Sequence, residues 1–201
     1  MLLAQFAEQF INHSRHQSSK LATCLLPIDH GTPTRVLELG CGTGVVGVAM
    51  AIMHANTRVI LSDLVDARDG VQRLLARVGD RLNRSSECTF EVLDWMIPLE
   101  TRWTEDSLDL LVVSDCTYNA DTVPALVRTL RGLARLNPRA KLLLAHKIRH
   151  IDELGFYHQL GNAGWKSVEH TKFCMGSVKP AADGQTDTTS LHVYLFEWLH
   201  G

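Results

Sequence analysis

Residues 36–47 constrain the fold of this chain more than any other segment. They read Val-Leu-Glu-Leu-Gly-Cys-Gly-Thr-Gly-Val-Val-Gly, an apolar strand followed by a glycine-rich turn and the start of a helix. A backbone that turns sharply from strand to helix, and lets ligand atoms touch it, needs positive φ angles and residues without a Cβ atom. Gly40, Gly42 and Gly44 meet both needs. The segment therefore predicts a loop that binds a nucleotide-type cofactor, whereas the alternative is a tight turn without a ligand.

Strand-like runs alternate with helical runs from Val36 onward, which indicates an α/β fold with a doubly wound, mostly parallel sheet. The predicted strands are residues 35–39, 58–62, 88–93, 108–114, 140–145, 166–173 and 191–198. The predicted helices are residues 44–54, 66–79, 121–136 and 151–162. No helix-length segment separates the last two strands. We therefore expect them to pair as a hairpin, so that the seven-stranded sheet has an antiparallel C-terminal strand.

Three residues mark the predicted ends of helices. Asp121 is the predicted N-cap of the third helix, and Pro124 stands in its first turn, where a missing N–H group costs little. Gly164 is suited to the exit from the fourth helix.

Length and composition predict one domain. The chain has 201 residues, 45% of them hydrophobic, which suits a single compact domain over residues 1–201. Residues 1–30 are predicted to form an amphipathic helical arm, and the polar residues 174–190 a flexible hairpin loop. The net charge of -2 argues against a protein that coats nucleic acid.

The cysteines and the apolar segments bear on location. The five cysteines are scattered, with no spacing suited to zinc, so we expect reduced thiols and no metal site. The N-terminal sequence lacks the basic region of an export signal, and the longest apolar run, Val45 to Met53, is too short to span a bilayer. These features predict a soluble monomer in the cytoplasm or the nucleus.

Four acidic residues stand at the predicted carboxyl ends of the first four strands: Glu38, Asp63, Asp94 and Asp115. In an open α/β sheet these ends border one crevice, so we expect the acids to line one ligand site. Asp63 is predicted to accept hydrogen bonds from ribose hydroxyls, with capping of the following helix as the alternative. Asp94 is predicted to accept a hydrogen bond from an adenine amino group, beside Trp95 as an apolar wall or a core residue. Glu38 is predicted to act through the glycine loop or on an amino group of the cofactor.

Two classes of cofactor fit the glycine loop. Residues 42–47, Gly-x-Gly-x-x-Gly, match the dinucleotide fingerprint, and Asp63 lies near the ~20-residue offset of a ribose-binding acid. The longer string of residues 38–44, Glu-x-Gly-x-Gly-x-Gly, resembles instead the first motif of the seven-strand S-adenosylmethionine-dependent methyltransferases. A dinucleotide fingerprint has its first glycine end the strand, whereas here a further glycine and an acid precede it. We therefore expect S-adenosylmethionine as the cofactor, with NAD as the alternative.

The fourth predicted strand ends in Ser114-Asp115-Cys116-Thr117-Tyr118. This Asp-x-x-Tyr pattern, with the glycine motif and the Leu-Asp-Trp of residues 93–95, is similar to the methyltransferase-like protein-lysine methyltransferases over about residues 18–173. The resemblance implies methyl transfer to a lysine of a protein substrate, with Asp115 and Tyr118 as catalytic residues. The cofactor site assigned on this basis comprises Glu38, Gly40, Gly42, Gly44, Asp63, Asp94, Trp95 and Ser114.

A lysine acceptor sets a chemical condition on the site. The amine must be neutral to attack a methyl group, and holding a lysine neutral near pH 7.4 costs about 4 kcal/mol. Asp115 is too weak a base for this, and its charge would raise the pKa of the lysine. We therefore expect Asp115 to orient the amine and Tyr118 to wall the channel, while desolvation and a water path remove the proton.

Other functions stay open at this point. A small-molecule amine or pyridine methyltransferase, a catalytically silent methyltransferase fold and an NAD-dependent enzyme all fit parts of the sequence. Asp115 and Tyr118 argue against the silent form, since a scaffold has no need of them. At the end of the fifth strand, His146, Lys147 and Arg149 either face the substrate or are ordinary rim residues.

Overall fold

A computed structural model describes residues 20–21, 32–82, 85–99, 103, 108–147, 154–174 and 190–199. The predicted arm of residues 1–30 lies outside the described residues, apart from Lys20 and Leu21. The predicted loop of residues 174–190 lies outside them apart from its two end residues, and Arg149 also lies outside them.

The described residues form one seven-stranded sheet with the strand order β3-β2-β1-β4-β5-β7-β6. Strands β1 to β5 are parallel, and β7 lies antiparallel between β5 and β6. The predicted doubly wound sheet and its C-terminal antiparallel hairpin are confirmed. The strands are β1 Thr34–Leu39, β2 Thr57–Asp63, β3 Glu87–Val92, β4 Leu110–Ser114, β5 Lys141–His146, β6 Trp165–Cys174 and β7 Ser190–Trp198.

Helices cover both faces of this sheet. In the described ranges the α-helices are α1 Val45–Met53, α2 Arg68–Val78, α3 Val123–Leu136 and α4 Leu154–Asn162, with short 3-10 helices at Val65–Ala67 and Gly79–Arg81. Alternate residues of a strand point to opposite faces, so a strand covered on both sides is apolar throughout. In β4, Leu111 and Val113 pack in the core with α3 and α4. Leu110 and Val112 pack on the other face with α1 and α2.

Two of the three predicted helix-end residues have the predicted position, and one does not. Pro124 lies in the first turn of α3, and Gly164, with a φ of 98°, follows the end of α4, as predicted. Asp121 is not the N-cap, because the cap position belongs to Thr122. The reason is a turn at Asn119, whose side-chain Oδ1 accepts the N–H of Asp121 at 3.0 Å and so delays the start of the helix.

None of the helices in the described part of the chain is both long and apolar enough to cross a membrane.

Gly47 sets how closely α1 approaches the sheet. A Cβ atom there would collide with the side chain of Leu61 and would lie 2.7 Å from Glu38 Oε2. The closest part of α1 thus rests directly on β1 and β2, and only glycine fits the contact.

We predict that Gly47→Ala lowers the free energy of unfolding by about 1–3 kcal/mol, the usual cost of overpacking. Gly70→Ala is the matched control, because Gly70 is also helical and a Cβ atom there meets nothing within 4 Å. The control should be neutral or stabilise by about 0.4–1 kcal/mol. Urea denaturation of both variants measures the difference, and equal stabilities would contradict the packing argument.

Candidate functional site

A cavity of about 710 Å³ opens at the carboxyl ends of the parallel strands. All of the predicted site residues except Gly44 line it, so the acids that end the first strands do meet in one place. In the described ranges the lining residues are Glu38, Gly40, Cys41, Gly42, Thr43, Val45, Val46, Asp63, Leu64, Leu93, Asp94, Trp95, Met96, Ser114, Asp115, Cys116, Tyr118, Asn119, Thr122 and Ala125.

The glycine loop has the conformation that its sequence predicts. Gly40, Gly42 and Gly44 have φ angles of 62°, 54° and 77°. A Cβ atom at Gly40 would lie 2.7 Å from Cys116 Sγ, whereas one at Gly42 would meet nothing within 4 Å. Gly42 therefore presents open backbone to the cavity. Gly44 is the N-cap of α1 and packs on Leu61, so it shapes the loop without lining the cavity.

Asp63 ties the glycine loop to the end of β2. Its Oδ2 accepts the N–H of Gly42 at 2.7 Å, and its Oδ1 accepts the N–H of Leu64 at 2.7 Å. The following 3-10 helix has no side-chain cap, so helix capping is not the role of this carboxylate. Each carboxylate oxygen can accept a further hydrogen bond. Asp63 can therefore hold the loop and still receive ligand hydroxyls.

Glu38 caps α1 from the neighbouring strand. Its side chain is 1% exposed, and Oε2 accepts the N–H of Gly47, in the first turn of α1, at 2.8 Å. The N-cap residue Gly44 has no side chain, so a carboxylate from β1 satisfies one of the free N–H groups at the helix N-terminus. Two roles were predicted for Glu38, and the bond to Gly47 corresponds to the first, in which the residue acts through the glycine-rich segment.

Burial raises the pKa of Glu38 from its ordinary value of 4.5 to about 8. The N–H of Gly47 opposes this rise, and the charge of Asp63 adds to it. Loss of hydration is therefore the largest influence on this carboxyl group.

Asp94 and Trp95 form the wall after β3. Asp94 Oδ1 accepts the N–H of Met96 at 2.8 Å, which closes a tight turn. The Trp95 ring lies 3.0 Å from the position that a Cβ atom of Gly40 would occupy, and it also packs against the core beside α3. Trp95 thus serves as both wall and core, the two roles that the sequence left open. Arg128 of α3 donates to the Trp95 carbonyl at 2.9 Å and fixes the turn from outside.

The turn of residues 115–118 has exposed ends and a buried middle. Asp115 and Tyr118 line the cavity and are exposed, Tyr118 at 73%. Cys116 and Thr117 are buried. Cys116 Sγ lies 3.3–3.5 Å from the carbonyl oxygens of Leu39, Gly40 and Ser114, which joins the turn to the glycine loop. In the described part of the chain Tyr118 therefore stands at the cavity mouth rather than in an enclosed channel.

His146 does not face a substrate. Its ring is fully buried beneath the 115–118 turn, with Nδ1 3.0 Å from Thr117 Oγ1 and Nε2 bonded to the Tyr157 hydroxyl. The substrate-facing interpretation of this residue is wrong, because it shares the face of β5 that packs beneath α4. Lys147 is half-buried and is not part of the cavity lining.

Several lining residues were not assigned to the site from the sequence, Leu64 and Met96 among them. Leu64 and Met96 are large apolar side chains that are 50% and 65% exposed. Exposed apolar side chains beside a cavity are informative because they commonly contact a ligand. Their position in the sequence could have indicated them, because each follows closely after an acid that ends a predicted strand.

The charges of the lining have one sign. Glu38, Asp63, Asp94 and Asp115 are acidic, and no lysine or arginine is among the lining residues in the described ranges. Nor do three histidine, cysteine or acidic side chains of those ranges group as metal ligands would. The arrangement suits a ligand with positive charge and several hydrogen-bond donors.

The strand order, the glycine loop and the acids at the strand ends together define a seven-stranded methyltransferase fold. Solved structures share it. A TehB-like SAM-dependent methyltransferase from Corynebacterium glutamicum is 16% identical, with a TM-score of 0.58 over 98% of this chain and 97% of that one. Magnesium protoporphyrin IX methyltransferase from Synechocystis, with bound SAM, is 17% identical, with a TM-score of 0.54 over 83% of this chain and 71% of that one.

Residues 3–163 match the sequence profile described as lysine methyltransferase, and the chain belongs to that family. The expected family and fold are thereby confirmed. Among curated proteins, the chain is 30% identical to protein N-lysine methyltransferase METTL21A of Danio rerio, over 63% of this chain and 55% of the relative. It is 29% identical to protein-lysine N-methyltransferase EFM6 of Saccharomyces cerevisiae, over 63% of this chain and 54% of the relative. The chain thus spans about half the length of these relatives.

We predict that Glu38→Gln changes how stability depends on pH. Glutamine keeps an acceptor for the Gly47 N–H group but does not ionise. Because the pKa of Glu38 is raised in the folded state, its stabilising contribution is complete below pH 4.5 and is lost as the pH rises through about 8. The unfolding free energy of the variant relative to wild type should therefore rise with pH, by up to about 1.4 kcal/mol per pH unit. Thermal unfolding at a series of pH values measures this, and parallel pH profiles would contradict the assignment.

Proposed function

We propose that this protein transfers a methyl group from S-adenosylmethionine to a lysine side chain of a protein substrate. Membership of the lysine methyltransferase family supports the reaction class. The observation that carries the cofactor assignment is the Glu38 carboxylate at the N-terminus of α1, in a cavity lined by further acids.

A dinucleotide fits this site poorly. In the dinucleotide-binding arrangement a pyrophosphate lies at the helix N-terminus that follows the glycine loop. Here Glu38 already accepts the Gly47 N–H group and Asp63 accepts the N–H group of Gly42 in the loop, so a pyrophosphate would find these donors taken and would meet the charge of Asp63. A cofactor with a positively charged sulfur and an ammonium group suits the same acids.

The chain's own residues fit the parts of S-adenosylmethionine. The cavity of about 710 Å³ lies within the usual range for small-molecule sites. Gly42 offers open backbone, Asp63 has acceptor capacity for ribose hydroxyls, and Leu64 and Met96 offer apolar contact to a flat base. When bound, S-adenosylmethionine supplies an electrophilic methyl group on a cationic sulfur.

The cavity mouth favours a lysine of a protein over a small amine. Sites for small molecules commonly bury 70–90% of the ligand surface. Tyr118 is 73% exposed, so the described residues leave the mouth open to a side chain that projects from another protein. Asp115, at the same mouth, would hold the incoming amine by a charge-assisted hydrogen bond. Orientation of the nitrogen is then the main contribution of these two residues.

The further proposals are a monomer and a location in the cytoplasm or nucleus, with no membrane attachment. Burial raises the pKa of the Cys41, Cys88 and Cys116 thiols to about 12, so they suit a reducing compartment as unreactive thiols. Size-exclusion chromatography and imaging of a tagged protein test these points.

We predict that S-adenosylhomocysteine raises the melting temperature and that NADH does not. A ligand at ~100 times its Kd stabilises the native state by about 2.7 kcal/mol. Gly42→Val should abolish the shift, because the side chain would fill the open space beside the loop at a residue with a φ of 54°. Circular dichroism checks that the variant folds. A shift with NADH alone would replace the cofactor assignment.

We predict that Asp115→Asn lowers methylation of lysate proteins about tenfold or more while S-adenosylhomocysteine affinity stays nearly unchanged. Asn tolerates the φ of 57° at this position as Asp does, so the change removes the charge without adding backbone strain. Labelled cofactor measures transfer, and mass spectrometry should locate the methyl group on a lysine nitrogen. Label found only in metabolites or nucleic acid would refute the protein-lysine proposal.

A further inference from the structure

The 115–118 turn is held in a strained shape. Asp115 has a φ of 57°, a left-handed conformation that costs a residue other than glycine free energy. Such a conformation persists only where the surrounding structure determines it. The contacts that hold the turn therefore control where Asp115 and Tyr118 stand.

Two consecutive residues of β5 supply such contacts. The carbonyl of Ala145 accepts the N–H of Asp115 at 2.9 Å. His146 Nδ1 lies 3.0 Å from Thr117 Oγ1, and Thr117 is the buried neighbour of Tyr118. The first contact holds the start of the turn, and the second holds its middle.

The orientation of the His146 ring is itself fixed. Nε2 bonds to the hydroxyl of Tyr157 from α4, and the two rings meet edge to face with centroids 5.4 Å apart. The Tyr157 ring in turn lies 4.8 Å from that of Tyr194 in β7. Hydroxyl groups can donate or accept, so both ring nitrogens are satisfied with a neutral imidazole in either tautomer. A buried ring that makes a hydrogen bond at each of its two nitrogens is a rigid support.

We propose that His146 is a positioning residue for methyl transfer, which acts through Thr117 to hold Asp115 and Tyr118 at the cavity mouth. This inference rests on the proposed function. His146 does not line the cavity and touches neither the cofactor site nor the acceptor amine. Its effect on the reaction comes from geometry, since displacement of a reacting group by about 1 Å can cost ~100-fold in rate.

Two substitutions separate the two hydrogen bonds of His146. The amide of asparagine reaches about as far as Nδ1 of histidine, and the amide of glutamine about as far as Nε2. His146→Asn therefore keeps a partner for Thr117 and loses the one for Tyr157. His146→Gln does the reverse. Both variants remove the same ring, so their difference reports on the Thr117 contact.

Hydrogen exchange of the Asp115 amide reports how firmly the turn is held, and it does not depend on enzymatic activity. In His146→Gln we expect exchange of the Asp115 amide to rise about tenfold or more, while the amides of β1 and β2 keep their protection. In His146→Asn the Asp115 amide should stay close to wild type. Methylation should follow the same order, with kcat about tenfold lower in the Gln variant than in the Asn variant. The Kd of S-adenosylhomocysteine, measured by calorimetry, should be equal in both.

His54→Asn is the control for loss of a buried histidine. His54 is 6% exposed and lies between α1 and the start of β2, at the amino-terminal ends of the strands and away from the cavity at their carboxyl ends. This variant should lose thermal stability while Asp115 exchange and kcat remain at wild-type values.

Thr117→Val and Thr117→Ser cover the case in which a His146 variant does not fold. Valine keeps the shape and removes the hydroxyl, so it should reproduce the Gln variant, whereas serine should resemble wild type. The proposal is overturned if His146→Gln or Thr117→Val leaves Asp115 exchange unchanged, or if the Asn and Gln variants lose kcat equally. A wild-type protein that methylates no lysine refutes the proposed function, while the exchange data still decide whether His146 holds the turn.

Discussion

The contact between Glu38 of β1 and the first turn of α1 is the constraint on which the site depends. The carboxylate accepts the Gly47 N–H group, and the absence of a side chain at Gly47 lets the helix come close enough for that bond. Strand and helix are thereby joined on both sides of the glycine loop, and Asp63 holds the middle of the loop through Gly42. Protein groups therefore hold the glycine loop in its shape, so binding does not have to order the loop.

The same contact places an acid whose ionisation is unfavourable at the centre of the site. Glu38 is buried and near Asp63, and both facts oppose its ionisation. A cation in the cavity would reduce that cost, whereas an anion would increase it. The protein thus selects the sign of its ligand through the same residue that secures its helix. Asp115 and Tyr118 stand exposed at the mouth of the same cavity.

The sequence predicted the fold well because the central strands are largely apolar and are bordered by a clear helical period or a glycine. The positive φ angles of the loop followed from the glycines themselves. Asp121 failed as a cap because Asn119 offered a competing turn, which depends on side-chain geometry. His146 was misplaced for a different reason. A polar residue at a strand end can face solvent or the core, and only the positions of Thr117 and Tyr157 decide which. Leu64 and Met96 were missed because apolar residues give no chemical signal until a cavity is seen.

The position of β7 bears on when the site matures during synthesis. β7 follows β6 in the chain but lies between β5 and β6, so one side of β5 has no strand partner until residues 190–198 have been made. β5 carries Ala145 and His146, on which the 115–118 turn rests, and His146 is paired across the sheet with His192 of β7. On the ribosome, the glycine loop can pair its strands early, whereas the support beneath Asp115 is completed by the last strand. A nascent chain would therefore form the strands around the glycine loop before it completes the support beneath Asp115 and Tyr118.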